Sequence, residues 1–244
     1  MKTTIKPSAK DSQKAKSAGR LTSAQRRAAI VQAVRQLFAE NGFHGTTTRE
    51  LAQAADVSEA LLFKHFPNKE ALYAAIQVSC IQQLGAATVE RLEALEPCAA
   101  TLVILVHVLV SHILAPKRPG ADDPAIQTRL MLQSLLDDGD FARLRMQQLG
   151  ECWIPKIAEC LQAAVAAGEA VEGPARAELR GWFVHHLSAA VRIHQLPSPP
   201  VVDYDLAREQ LVGQVVWFAI RGMGLTDAAI QRHLSPTAMA SFRG

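Results

Sequence analysis

The chain of 244 residues reads as an all-α protein, and three observations carry that reading. Apolar residues recur at i, i+3, i+4 and i+7 in one segment after another, which is the period of a helix face. Two segments open on a Thr followed three positions later by Gln or Glu, Thr22 with Gln25 and Thr47 with Glu50, the signature of a capping box. The segments are separated by Gly, Pro and Asp clusters, and no stretch alternates polar with apolar residues as a half-buried strand does. The predicted architecture is a basic arm over 1–20, a three-helix unit over 21–68 and a larger helical domain over 69–244.

The elements follow in order. Residues 1–20 carry Lys2, Lys6, Lys10, Lys14, Lys16 and Arg20 against Asp11, with few apolar groups, and are expected to be a disordered arm. Ile30, Ala33, Val34, Leu37 and Phe38 define an apolar face on a first helix over 23–41, which Gly42 ends. Leu51, Ala52 and Ala55 give a second, short helix its inward face, and Asp56, Val57 and Ser58 lead into a third over 59–66. Two short helices joined by a turn of three or four residues form the helix-turn-helix plan. Pro67 and Asn68 then break the chain and cap a fourth helix from Lys69. Further helices are expected over about 69–94, 98–115, 124–137, 140–167, 175–195 and 204–222, with a short one near 227–234. Pro155 is expected to kink or divide the helix that contains it.

Composition narrows the function. Hydrophobic residues make up 49% and charged residues 20% of the chain, which excludes wholesale disorder. Residues 1–80 hold 12 Lys and Arg against 6 Asp and Glu, whereas the remainder holds 14 against 17. A basic first third joined to a mildly acidic remainder fits a module that binds a polyanion, although charge alone does not separate DNA from an anionic membrane. Cys80, Cys98, Cys152 and Cys160 show no CxxC spacing and read as buried thiols in a reducing cytosol. No secretory signal is visible. The longest uncharged apolar run, 99–115, has 17 residues, short of the roughly 20 that span a bilayer. The chain is expected to be cytoplasmic, with no membrane partner.

The stretch from Thr46 to Tyr73, TTTRELAQAADVSEALLFKHFPNKEALY, is the most specific part of the sequence. On the third helix Leu62 and Phe66 form an inward i, i+4 pair, which turns Glu59, Ala60, Leu61, Phe63, Lys64 and His65 outward or to the margin. A helix fits the major groove, where outward side chains reach base edges. Over about 22–73 the chain resembles the TetR family of bacterial transcriptional regulators, and the rest is similar in length and helix count. The resemblance implies that Thr48 contacts phosphate and that Arg49 reads guanine. It places Ser58, Glu59, Ala60, Leu61, Lys64 and His65 at the groove and sets Lys69 against a phosphate. Phe63 stands where such regulators commonly have a tyrosine, which keeps the packing and loses a hydroxyl.

In the second domain the segment 98–115 is apolar all round and must be surrounded by other helices. The resemblance implies a pocket there for a small, lipophilic effector, with His107, His112, Met131, Trp153 and Phe183 as candidate lining residues. No basic pocket cluster names the ligand. Leu179, Phe183 and Leu187, with Leu211, Val212, Val215, Phe218 and Ala219, give the last two long helices more apolar surface than one side can use, and so predict a homodimer interface. His185 and His186 are neighbours on a helix and point about 100° apart, so a shared metal is not expected. No HExxH, GxSxG, GxGxxG or P-loop occurs, and no enzymatic activity or cofactor is expected. The expected protein is a homodimeric repressor that binds double-stranded DNA at a palindrome and is released by a small-molecule effector. A structural DNA binder without a ligand and an all-α enzyme are the alternatives.

Overall fold

Local capping sets the first helices. Thr22 and Gln25 satisfy each other's backbone amides at 3.2 and 2.9 Å, and α1 runs over Ser23–Asn41. Thr47 and Glu50 repeat the arrangement ahead of α2, Thr48–Ala54. The Ser58 hydroxyl accepts from the Leu61 amide at 3.2 Å and starts α3, Glu59–His65. Asn68 Oδ1 accepts from the Ala71 amide at 2.8 Å and starts α4, Lys69–Ile81. The computed structural model describes residues 21–81, 90–91, 94–116 and 123–234, without the side chains of 80 and 81. The basic arm 1–20, the Cys80 side chain, and residues 82–89 and 92–93 of the expected 69–94 helix therefore lie outside what is described.

The second unit contains α5 (Ala99–Ile113), α6 (Pro124–Leu136), α7 (Asp140–Ala166), α8 (Ala177–His194), α9 (Arg208–Gly222) and α10 (Asp227–His233). As its composition requires, α5 is central: it packs against α7, α8, α9 and α10 and buries Leu102, Val103, Leu105, Val106, Leu109 and Val110. Pro155 sits inside an undivided 27-residue α7. The expected helix over 204–222 begins only at Arg208, because Asp205 takes a positive φ of 49° and its amide turns back to Asp203 Oδ1 at 3.0 Å. Among the described residues there is no strand, only an isolated bridge between Ala170 and Leu225. Nor is any described helix long and apolar enough to cross a membrane.

Arg180 fastens one end of this bundle. Buried on α8, it donates to the carbonyls of Ala175 at 2.9 Å and Met223 at 2.8 Å, and so ties the turn before α8 to the end of α9.

Two cores form among the described residues, and α6 belongs to the one around the head. The head core consists of Ile30, Val34 and Phe38 from α1, Leu51 from α2, Leu62 and Phe66 around α3, and Leu72 and Ile76 from α4. Ile126 and Leu130 of α6, with Phe141 of α7, complete it, so the head's packing extends past residue 68. Each fully buried side chain of this size stabilises the fold by about 1.5–3 kcal/mol, and the head depends on α6 for part of that. Gly42 shows how close the approach is: it has φ of 71°, and a Cβ there would lie 3.1 Å from Gln133 Oε1 of α6. Nearby, His44 Nε2 is 3.5 Å from Asp137 just beyond α6.

Candidate functional site

The residues expected at the DNA interface are all at least partly exposed. Arg49, Ser58, Glu59, Ala60, Phe63 and Lys64 are exposed, and Thr48, Leu61, His65 and Lys69 are half-buried. Leu62 and Phe66, at 2% and 1% exposure, anchor α3 from behind and leave Phe63 42% exposed. An aromatic at that exposure on a short helix has little to cover it within the chain. The Thr48 hydroxyl donates to Glu59 Oε2 at 3.1 Å, which ties the start of α2 to the start of α3. The Lys69 ammonium lies 4.4 Å from the centre of the Phe43 ring. The bonds from Thr47 hold the Glu50 carboxyl below its usual pKa and keep the capping box charged.

Sequence reasoning misses one residue of the head. Arg27 of α1 places its guanidinium 4.0 Å over the Phe66 ring and donates to the His65 carbonyl, and so clamps the end of α3 to α1. Its spacing from α3 in sequence gives no local signal.

Beneath the head, α5, α6, α7 and α8 enclose a cleft of about 510 Å³, within the range of small-molecule sites. From α6 come Gln127, Thr128 and Met131, and Met131 also packs against the head core that holds Ile126 and Leu130. His112 and Ile113 come from α5, Arg145 and Met146 from α7, and His185, Ala189 and Arg192 from α8. Of the five expected lining residues, the structure brings His112 and Met131 to this cleft. Trp153 is packed in the second core at 6% exposure, Phe183 lies on the outer face of α8 at 55% exposure, and His107 pairs with Ser111 at 3.5 Å.

The cleft is cationic, contrary to the absence of a basic cluster read from the sequence. Arg145 and Arg192 both line it, and among the described residues no Asp or Glu does. Burial, then the charges of His186 and Arg145, push His185 down to about 4. Desolvation and Arg145 likewise lower His112, although the residue is exposed where it lines the cleft. Burial also lowers Arg192; Asp123 opposes the effect, whereas Arg129 and Arg208 add to it. A guanidinium remains charged even so.

The outer faces of α8 and α9 carry an apolar patch. Leu179, Phe183 and Phe218 are exposed and Leu187 is half-buried, and Trp217 of α9, which the sequence does not mark out, is 48% exposed. The other four expected interface residues, Leu211, Val212, Val215 and Ala219, are at 4–7% exposure inside the subunit's own core, because that face of α9 packs on α5.

The remaining chemistry is structural. Among the described residues no group of three His, Cys, Asp or Glu is placed to hold a metal. Cys98 is exposed, not buried as expected, and caps α5 by accepting from the Thr101 amide at 3.5 Å. Cys160 is buried with its thiol pushed up by burial, the opposite of a reactive cysteine.

Comparison with known proteins agrees with this geometry. The profile of the family described as "Bacterial regulatory proteins, tetR family" matches residues 30–76, the span from α1 to α4. The HTH-type transcriptional regulator RutR of Escherichia coli strain K12 is 44% identical over 57 residues, which are 23% of this chain and 26% of that protein. The matched span is about a quarter of the length of such curated relatives. Over nearly the whole bundle, a tetR-family regulatory protein from Rhodococcus RHA1 superposes with a TM-score of 0.62 at 19% identity, covering 83% of this chain and 99% of that one. The structure of AibR in complex with isovaleryl coenzyme A and operator DNA gives a TM-score of 0.59 at 17% identity, covering 79% and 97%. Residues 30–76 therefore carry a DNA-binding domain of the tetR-family type, and the described bundle has the fold of tetR-family regulatory proteins.

Proposed function

We propose that the protein is a non-catalytic, ligand-responsive repressor of the cytoplasm, which binds a palindromic operator as a homodimer and is released when a small effector occupies the cleft under the head. The observation that carries this reading is the double use of α6. Ile126 and Leu130 are part of the head core, Gln127 and Thr128 line the cleft, and Met131 touches both. An effector shifts DNA binding only through different affinities for two arrangements of the protein, and a helix shared by both sites is the element that can differ between them. AibR, which has the same fold, is described with an acyl-coenzyme A and operator DNA together, so this architecture accommodates both kinds of partner. Ile113, Met131, Met146 and Ala189 offer an apolar bed for part of an effector. A cleft of this size is also what favours a regulator over a purely structural DNA binder.

The test is selection of duplexes from a random pool by the full-length protein, followed by sequencing and affinity measurement. The reading expects an inverted repeat, because two symmetric heads read two half-sites. Enrichment of no sequence, with equal affinity for scrambled DNA, would remove the operator-binding role.

A further inference from the structure

Three buried polar atoms of residues that line the cleft have no hydrogen-bond partner among the described residues: Nε and Nη2 of Arg192, and Nδ1 of His185. Arg192 is 4% exposed, and its Nη1 donates to the Ala115 carbonyl at 3.2 Å. Its two unused donors share one edge of the guanidinium. That edge is the fork that grips a carboxylate or phosphate with two parallel bonds. A buried charge with two unmet donors is unfavourable for the chain alone, so the arrangement calls for an acceptor from outside it.

The surrounding charge has the matching sign. Arg145 lines the same cleft, and Arg129 and Arg208 lie near enough to act on Arg192. Among the described residues no carboxylate lines the cleft, and Asp123, which acts on Arg192, has Oδ1 engaged by the Ala125 amide at 2.9 Å, where it caps α6. A neutral lipophilic ligand would leave the Arg192 fork unpaired.

Building on the ligand-responsive reading above, we propose that the effector is an amphipathic organic anion. Its carboxylate or phosphate lies in the fork of Arg192, with Arg145 as the second positive charge and His185 as a further polar contact. Its apolar part rests on Ile113, Met131, Met146 and Ala189.

The test is calorimetric titration of the full-length protein with straight-chain carboxylates of four to twelve carbons, the matched alcohols and the matched alkyl phosphates. At least one acid or phosphate is expected to bind about tenfold or more tightly than its alcohol, as two charge-assisted bonds imply. The headgroup that wins identifies the source of the anion. Arg192→Met is expected to abolish the preference and leave alcohol affinity within about twofold, since only the charged fork is removed. It is also expected to raise the melting temperature of the ligand-free protein, whereas an arginine with a purely structural role would lower it. If that variant fails to fold, Arg192→Lys keeps the charge without the fork and is expected to lose the preference too.

The proposal is overturned if no anion outbinds its alcohol, or if the preference survives in both Arg192 variants. The outcome on DNA separates this proposal from the reading beneath it. An anion that binds through Arg192 without changing affinity for the selected duplex upholds the site and removes the regulatory role. An alcohol that releases the duplex while anions do not upholds regulation and overturns the anion.

Discussion

Arg49 and Lys69 are both cations of the head, but their chemistry separates their roles. Arg49 is exposed near the start of α2 and has the planar fork that matches guanine, whereas Lys69 is a point charge at the start of α4, held over the Phe43 ring. Arg49→Ala is expected to cost about 1–3 kcal/mol on the selected duplex and to relax one position of each half-site. Lys69→Ala is expected to weaken selected and scrambled duplexes alike, with the salt slope reduced by roughly 0.9 for each phosphate that a head no longer neutralises. Salt titrations of both variants check this, and equal sequence-independent losses would assign Arg49 to the backbone.

His185 gives a residue-scale test of the cleft. The folded state holds it neutral, with its pKa lowered from 6.5 to about 4, so between those values the unfolded chain takes up a proton that the folded one refuses. Stability is therefore intact above 6.5, falls as the pH drops towards 4 and levels off below it, with a total effect on the order of 1–3 kcal/mol. The groups facing it are His186 on α8, Arg145 on α7 and His112 on α5, and none of them supplies a negative charge. Melting curves at several pH values should show a shallower acid loss in His185→Gln than in the wild type, and parallel losses would contradict the assignment.

At the scale of elements, legibility follows locality. The caps at Thr22, Thr47, Ser58 and Asn68 act within three residues, so the head's helix starts can be read directly. Helix α8 resists reading for the opposite reason. Its most apolar stripe, Leu179, Phe183 and Leu187, faces outward, and its inner face buries Arg180, Ser188 and Arg192. Periodicity marks an apolar face but not which side the rest of the bundle occupies. A pair of arginines in helical register with Val184 and Ser188 is the available signal for a polar interior. On α6, Leu130→Ala is expected to destabilise the protein by about 2–5 kcal/mol, because the residue is 1% exposed in the head core. Chemical denaturation measures this, and a loss under about 1 kcal/mol would mean that α6 is not an integral part of that core.

For the whole molecule, the outer face of α8 and α9 is the surface proposed for pairing with a second copy. Phe218 and Phe183, at 62% and 55% exposure, leave an apolar patch that a second copy would cover, as an isologous interface. Phe218→Glu is expected to give a folded monomer, since the side chain is outside the subunit's core. Val215→Glu, at 7% exposure inside that core, is expected to unfold the subunit instead. Sedimentation and circular dichroism on the two variants distinguish these results, and an undisturbed dimer in Phe218→Glu would place the interface elsewhere.

The central claim is that the cleft and the DNA-reading head are coupled through α6, and filling the cleft from within tests it without knowledge of the effector. Thr128 lies on the cleft side of α6, next to the head-core residues Ile126 and Leu130. The measurement is the affinity of Thr128→Trp for the selected duplex by fluorescence anisotropy, with circular dichroism confirming that the helices are retained. A coupling of ordinary size predicts a change of about fivefold or more relative to the wild type. An unchanged affinity in a folded Thr128→Trp protein, with the indole shown to be buried by its emission, would contradict the coupling.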